Sequence, residues 1–380
     1  MIIKQYDAVV AGYTCVDLVP NFNKETHSDN ICAILTPGKL IEIEGMDFVL
    51  GGAVPNTGIA MKRFGKKVYL NGLIGNDIIG VVADELLKKS DALEGMSKTD
   101  KASTAFSVVI SPPGIDRIFL ESPGCNSIFN IEHIDFDVVR DSKLFHFGYP
   151  PLLRQFYIDN GEQLSQMYSR VQKLGVVTSL DFSLPDSDSE SGSANWLEIL
   201  NKTLSYVDIF APSLEELIRI MRPVEYKEIF CSNTSQIDFN DLVPMELIAE
   251  IGDQILDMGV DILMIKAGKC GIYLFTRDGA TVTAKLGNGS DNTWNQRKIH
   301  CKAYFAEPDK IINASGAGDT AIGAFLTAII NGETAEFALK LASLGGRNNL
   351  YCKDIYRDLK QWSEMLDEIV AVTNDIIQLS

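Results

Sequence analysis

The sequence predicts an α/β fold of three layers: a mainly parallel central sheet between two layers of helices, with a small β-sheet standing beside it as a lid. Three observations predict it. Short, nearly continuous apolar runs alternate with amphipathic stretches along most of the chain. These runs end in Gly, Pro, Ser or Asp, residues that close strands. Two stretches, 14–50 and 103–128, break the alternation and contain no crossover helix.

Strands covered on both faces have no polar side, so they read as unbroken apolar segments. In order, these are DAVVAGY (7–13), KVYLNGLIG (67–75), KLFHFGYP (143–150), VVTSLDFS (176–183), VDIFAPS (207–213) and DILMIKAG (261–268). Between them, the stretches 56–65, 77–89, 155–174 and 244–258 carry apolar residues at helical spacing and supply the covering layers. Within 103–128, TAFSVVISPPGIDRIFLESPGC places two alternating runs around a Pro-Pro-Gly turn, the pattern of a hairpin. Together with 14–50 it makes either a small separate sheet or decorated edge strands of the main one. The lid reading divides the chain into a main domain of 1–13, 51–102 and 129–380 and a lid of 14–50 and 103–128. PDSDSESGSAN (185–195) reads as a solvated loop, and GNGSDNTWNQRK (287–298) as a second irregular insert.

A chain of 380 residues, 46% hydrophobic, can bury one large core with an accessory element. The net charge of −17, without a long acidic run, disfavours a nucleic-acid backbone or an anionic membrane as the main partner. No run of apolar residues is long enough to span a bilayer, and the opening MIIKQYDAVVAGYTCVDLV reads as a strand rather than an export signal. Seven scattered cysteines without a Cys-x-x-Cys pair, and four dispersed histidines, favour reduced thiols in the cytoplasm and give a zinc site no support.

The chemistry concentrates near the C-terminal third. KIIN (310–313) reads as a strand leading into Ala314-Ser315-Gly316-Ala317-Gly318-Asp319, after which TAIGAFLTAIINGE continues at helical spacing. First-turn amides have no intrahelical acceptor, and small residues let an anion approach them. With the helix dipole, Gly316, Ala317 and Gly318 can form a hole for the charge on a transferred phosphoryl group, while Asp319 takes a proton from an attacking hydroxyl. The plainer alternative is a tight turn whose Asp satisfies its own helix start. No phosphate-binding Gly-x-x-x-x-Gly-Lys string and no Gly-x-Gly-x-x-Gly after the first strand is present.

This segment resembles the second signature of the PfkB (ribokinase-like) family of carbohydrate kinases, Asp-Thr-x-Gly-Ala-Gly-Asp. Gly51-Gly52-Ala53-Val54-Pro55-Asn56, followed by an Ala-rich helix and Phe64-Gly65, is similar to the family's Gly-Gly-x-x-x-Asn segment. Gly72-Leu73-Ile74-Gly75-Asn76-Asp77 with Gly80 is similar to its Gly-x-x-Gly-x-Asp-x-x-Gly stretch, and Arg117 followed by Gly124-Cys125-Asn126 to its lid strand and Gly-Ala-Asn.

The resemblance implies a ribokinase-like fold and ATP-dependent phosphorylation of a sugar hydroxyl, with Asp319 as general base. It also implies that Asp17, Gly51, Gly52 and Asn56 hold the acceptor. Gly268 and Gly271, in Lys266-Ala267-Gly268-Lys269-Cys270-Gly271, would border ATP, with Ser213 and Asn348 on the same side; Lys266 and Lys269 read as solvated or packed rather than catalytic. Glu216, in Ser213-Leu214-Glu215-Glu216, and Asp181 would serve magnesium. Asn313 replaces a charged residue near the family's monovalent-cation site, which leaves potassium dependence open. A homodimer through the lid is the expected assembly. A nucleoside kinase of the same fold and a non-catalytic sugar or nucleotide sensor remain as alternatives.

Overall fold

Each of the six apolar runs contains a strand in the computed structural model, which describes residues 4–23, 30–113, 115, 117–232, 237–277, 281–288, 292–312, 314–372 and 374–379. They are β1 (Tyr6–Gly12), β4 (Val68–Gly75), β8 (Ser142–Gly148), β9 (Val177–Leu180), β10 (Ile209–Phe210) and β11 (Ile262–Lys266). With β5 (Met96–Thr99), β12 (Ile272–Thr276), β13 (Lys298–Cys301) and β14 (Ile376–Gln378) they make a ten-stranded sheet among the described residues. Its order is β14-β13-β12-β11-β10-β9-β8-β1-β4-β5. From β5 to β11 every neighbouring pair is parallel; β12, β13 and β14 add an antiparallel margin.

Consecutive β1 residues enter opposite cores. Val9 and Ala11 join the cluster containing Leu164, Met167, Ile248 and Ile251 from the helices Glu162–Lys173 and Met245–Asp257. Ala8 and Val10 join the cluster containing Ile59, Ile322, Phe325 and Leu341 from the helices Ala53–Arg63, Ala317–Asn331 and Ala335–Asn349. The sheet is therefore covered on both faces, and each fully buried Leu, Ile or Phe contributes about 1.5–3 kcal/mol of transfer free energy.

β2 (Cys15–Phe22), β3 (Ile43–Gly51), β6 (Phe106–Ile110) and β7 (Ile118–Ser122) form a separate sheet in the order β3-β2-β6-β7. The alternative of edge strands on the main sheet is thereby set aside. β6 and β7 pair antiparallel, as the hairpin pattern requires. Residues 24–29 of the lid segment and Gly114 of the Pro-Pro-Gly turn lie outside the described residues. A clamp fixes the chain entering β6: Asp77 caps the helix Ile78–Lys89 by accepting from Gly80 N–H at 2.7 Å, and its other oxygen accepts from Thr104 N–H at 2.6 Å.

One local expectation fails. KIIN does not form a strand: Ile311 and Ile312 are 45% and 59% exposed, and the Ile312 amide bonds the Leu350 carbonyl instead of a sheet neighbour. Asn313 lies outside the described residues, so the potassium question stays where the sequence left it.

Candidate active site

Two helix starts converge because small residues let their helices touch. A Cβ on Gly323 would lie 3.2 Å from both Ala60 Cβ and the Thr57 carbonyl oxygen, so the helices Ala53–Arg63 and Ala317–Asn331 pack at close range. Asn56 and Asp319 both stand in first turns, and Asn56 Nδ2 donates to Asp319 Oδ2 at 3.0 Å. Gly316 opens the second helix at φ 73°, a left-handed conformation that disfavours a side chain, and a Cβ there would lie 3.3 Å from the Asn56 amide. The Ala317 amide reaches the Ala314 carbonyl only at 3.4 Å. Gly318 and Asp319, as first-turn residues, have no intrahelical acceptor for their amides.

Asp319 is buried, 3% exposed, and is braced from a second side. Tyr149 Oη lies 2.8 Å from each of its carboxylate oxygens and donates to them. Tyr149 itself has φ 63°, an unusual conformation for a residue other than glycine, imposed where β8 meets Pro150-Pro151. Burial, and then the negative charge of Asp319, raise the Tyr149 hydroxyl far above its ordinary pKa, so it stays a donor. The sequence reading gave Tyr149 no role.

Beside the small sheet, Gly51 leaves room for Asp17: a Cβ there would lie 2.5 Å from Asp17 Oδ2. Gly52 has φ 91°, and a Cβ on it would lie 2.6 Å from the Tyr13 carbonyl oxygen. Burial raises the Asp17 carboxyl to about 6, with the Glu121 charge adding to it and hydrogen bonds from Cys15 and Ser107 opposing. Tyr13, at the end of β1, donates to Glu121 Oε1 of β7 at 2.6 Å, and its ring lies 6.3 Å from that of Tyr149. Arg117 donates to Ser315 Oγ at 2.7 Å, so the lid also touches the loop before Gly316.

On the opposite side of Asp319, Lys266 is neither solvated nor merely packed. Its ammonium donates to Asp181 Oδ1 at 2.6 Å, and a Cβ on Gly318 would lie 3.7 Å from its Nζ. Burial lowers its pKa, but Asp181 and Glu216 outweigh burial and raise it, so the ammonium stays charged. Burial raises Asp181 and Glu216, against the pull of Lys266. Asp181 Oδ2 is buried without a hydrogen-bond partner among the described residues. Ser213 and Glu216 form a reciprocal cap: Glu216 Oε2 accepts from Ser213 N–H at 2.7 Å, and Ser213 Oγ accepts from Glu216 N–H at 3.3 Å. Ser213 thus serves the helix Leu214–Met221 directly. A cavity of about 280 Å³, lined in part by Phe182, Trp196, Glu216 and Arg219, opens beside this cap.

The remaining residues for which the resemblance implied a place beside ATP divide. Gly271 has φ 100°, and a Cβ on it would collide with the Cys301 carbonyl, so this glycine is needed for the turn from β11 into β12. Gly268, with φ 53°, lies in the same turn. Asn348 Nδ2 donates to Glu368 at 2.9 Å. Its neighbour Asn349 braces the turn before Gly316, donating to the Ser315 carbonyl and accepting from Thr320 Oγ1, both at 2.8 Å.

Comparison with known proteins gives the family and the fold. A family model described as pfkB family carbohydrate kinase matches residues 7–348. The 5-dehydro-2-deoxygluconokinase of Listeria innocua is 20% identical over 90% of this chain and 88% of its own. A probable fructokinase-4 of Arabidopsis thaliana is 30% identical, but over only 26% of this chain and 31% of that protein. The chain thus matches about a third of the length of such plant fructokinases. Among solved structures, Arabidopsis thaliana ribokinase complexed with ribose and ATP superposes with a TM-score of 0.69 at 18% identity, over 95% of this chain and 98% of that one. The Methanocaldococcus jannaschii nucleoside kinase gives 0.67 at 16% identity, over 97% and 99%. These likenesses establish the fold.

Proposed function

Since the chain belongs to the pfkB family of carbohydrate kinases, we propose that it transfers the γ-phosphoryl group of ATP to a hydroxyl of a sugar. The observation that carries this reading is Asp319: a buried carboxylate at a helix start, held by Asn56 and Tyr149, beside the open amides of the Gly316 turn.

Asp17 accepts hydrogen bonds from acceptor hydroxyls and turns one of them toward Asp319. Asp319 takes the proton of that hydroxyl as its oxygen forms a bond to the γ-phosphorus and the bond from that phosphorus to the bridging oxygen of ADP breaks. Amides at Gly316 to Asp319, with the Lys266 ammonium beside Gly318, hold the charge on the transferred group. The lid, anchored by Tyr13 to Glu121 and Arg117 to Ser315, keeps water from competing as acceptor. Phe305, 78% exposed on the loop leading to Ile311 and Ile312, offers apolar surface for the nucleobase. The partnerless Asp181 Oδ2 and the Glu216 carboxylate are hard oxygen donors suited to magnesium, directly or through water. Magnesium bound with ATP would supply charge neutralisation on the phosphate oxygens.

The homodimer through the lid belongs to the same proposal. The lid's outer face leaves Met46, Phe48 and Leu120 exposed, enough apolar surface to call for a cover.

The test is a coupled phosphoryl-transfer assay over sugars, sugar phosphates and nucleosides including adenosine and inosine, with magnesium, with and without potassium. Asp319→Asn is expected to lower kcat by about 10²–10⁴-fold, the usual contribution of a general base, with little change in ATP affinity. Turnover by the variant equal to that of the unmodified chain would remove Asp319 from the mechanism, and stabilisation by nucleosides alone would reassign the acceptor.

A further inference from the structure

The charged groups around Asp319 are segregated by end. Cations stand on the phosphoryl side: Lys266 on Asp181 beside Gly318, and Arg117 on Ser315 of the phosphate turn. The acceptor side carries carboxylates. Registers across the lid pair Val49 with Asp17, Asp17 with Ser107, and Ser107 with Glu121. Residues in cross-strand register share a face, so Asp17, Ser107 and Glu121 form one polar row on the inner side of the lid. Along that side Ser107 and Val109 are buried, whereas Glu121, on the edge strand β7, stays exposed at the rim; Met46 and Phe48 lie on the other face.

The row is tied to the base through side chains. Glu121 accepts from Tyr13, the Tyr13 ring lies against Tyr149, and Tyr149 donates to Asp319. Glu121 therefore stands at the rim of the region bounded by Asp17, Tyr13, Tyr149 and Asp319. The upward shift of Asp17, part of which comes from the charge of Glu121, independently places the two carboxylates in electrostatic contact.

We infer that Glu121, delivered by the lid, is a specificity-determining residue that, with Asp17, makes the acceptor end accept hydroxyl or ammonium donors and reject acceptors already bearing a phosphate or carboxylate. This deepens the kinase reading and rests on it. Hydroxyl groups of an uncharged polyol donate into both carboxylates. A phosphate or carboxylate on the acceptor would meet two like charges, that of the largely buried Asp17 and that of Glu121 at the rim, and like-charge juxtaposition is costly. The named acceptor of the full-length Listeria relative is a sugar acid, so the inference separates this chain from it.

The experiment measures kcat/KM for matched acceptors, fructose against fructose 6-phosphate, ribose against ribose 5-phosphate and glucose against gluconate, in the unmodified chain, Glu121→Gln and Glu121→Lys. The unmodified chain is expected to prefer the uncharged member of each productive pair by about 100-fold or more, the scale of a like-charge juxtaposition. Glu121→Gln narrows that ratio about tenfold, acting mainly through KM, and Glu121→Lys narrows it further or inverts it. A purely structural latch from Glu121 to Tyr13 would lower turnover of both members alike and leave the ratio unmoved, which overturns the inference. A preference of the unmodified chain for the anionic member overturns it without any variant. Turnover of no acceptor, with Asp319→Asn indistinguishable from the unmodified chain, overturns the kinase reading and the inference with it.

Discussion

Burial holds the Asp17 carboxylate at a cost to the fold. Its carboxyl rises to about 6 from an ordinary 3.8, first through burial and then through the charge of Glu121. The native state therefore binds this proton more tightly than the unfolded chain does. The favourable contribution is fully present below about pH 4 and is lost as pH rises through about 6. At pH 7 Asp17→Asn should stabilise the protein by up to about 3 kcal/mol, two pKa units at about 1.4 kcal/mol each, and the gain should vanish near pH 3.5. Urea denaturation at the two pH values measures both; equal effects at both would show that Asp17 is not strained. The same substitution should raise the acceptor KM, because one hydroxyl acceptor becomes an amide. In the unmodified chain the acceptor KM should climb as pH falls below about 6, while the KM for ATP stays level. Asn56 and Asp319 could be singled out because they stand beside Gly51-Gly52 and the Gly316 turn, whereas Asp17 could be singled out only through the family resemblance. Tyr149 was not, because its role depends on a left-handed backbone after β8 and on a contact across 170 residues of sequence.

The site depends on how closely two helices pack, and this is an element-scale property carried by a residue outside the motifs. Gly323 sits one turn beyond Asp319, against Ala60 and Thr57. Gly323→Val should cost about 1–3 kcal/mol through overpacking and push the helix starts apart. A displacement approaching 1 Å between Asn56 and Asp319 is expected to lower kcat by about tenfold or more. Gly323→Ala, whose single Cβ needs only a few tenths of an ångström, should show a small fraction of both effects. Chemical denaturation beside kcat measurement tests the pair, and Gly323→Val with unaltered turnover would detach helix spacing from catalysis. The parallel strands were readable because burial on both faces leaves unbroken apolar runs such as Leu263 to Ile265 in β11. The antiparallel margin was not, since β13 and β14 are four and three residues long and carry Lys298, His300 and Gln378. KIIN misled because two isoleucines look like strand interior, whereas Ile311 and Ile312 lie exposed on the approach to the Gly316 turn.

At the scale of the whole molecule, the lid is a second sheet with two unlike faces. Its inner face carries Asp17, Ser107 and Glu121; its outer face runs Met46 and Phe48 of β3, Leu18 of β2, Val108 of β6 and Leu120 of β7. Alternation in the hairpin of β6 and β7 was readable, but not that Phe48 and Leu120, 41% and 54% exposed, would share one face through Leu18 and Val108. If a second copy covers this face, association is apolar and works against charge, since each chain carries −17. Salt should then tighten the dimer by screening that repulsion, the reverse of an association driven by ion pairs. Sedimentation at micromolar concentration is expected to give twice the 41.8 kDa chain mass. Phe48→Glu and Leu120→Glu should each return the protein to the monomer, because either buries a carboxylate within the apolar face. Monomers at low and at high salt, with both variants sedimenting like the unmodified chain, would leave the lid's outer face a solvent surface and remove the dimer from the proposal.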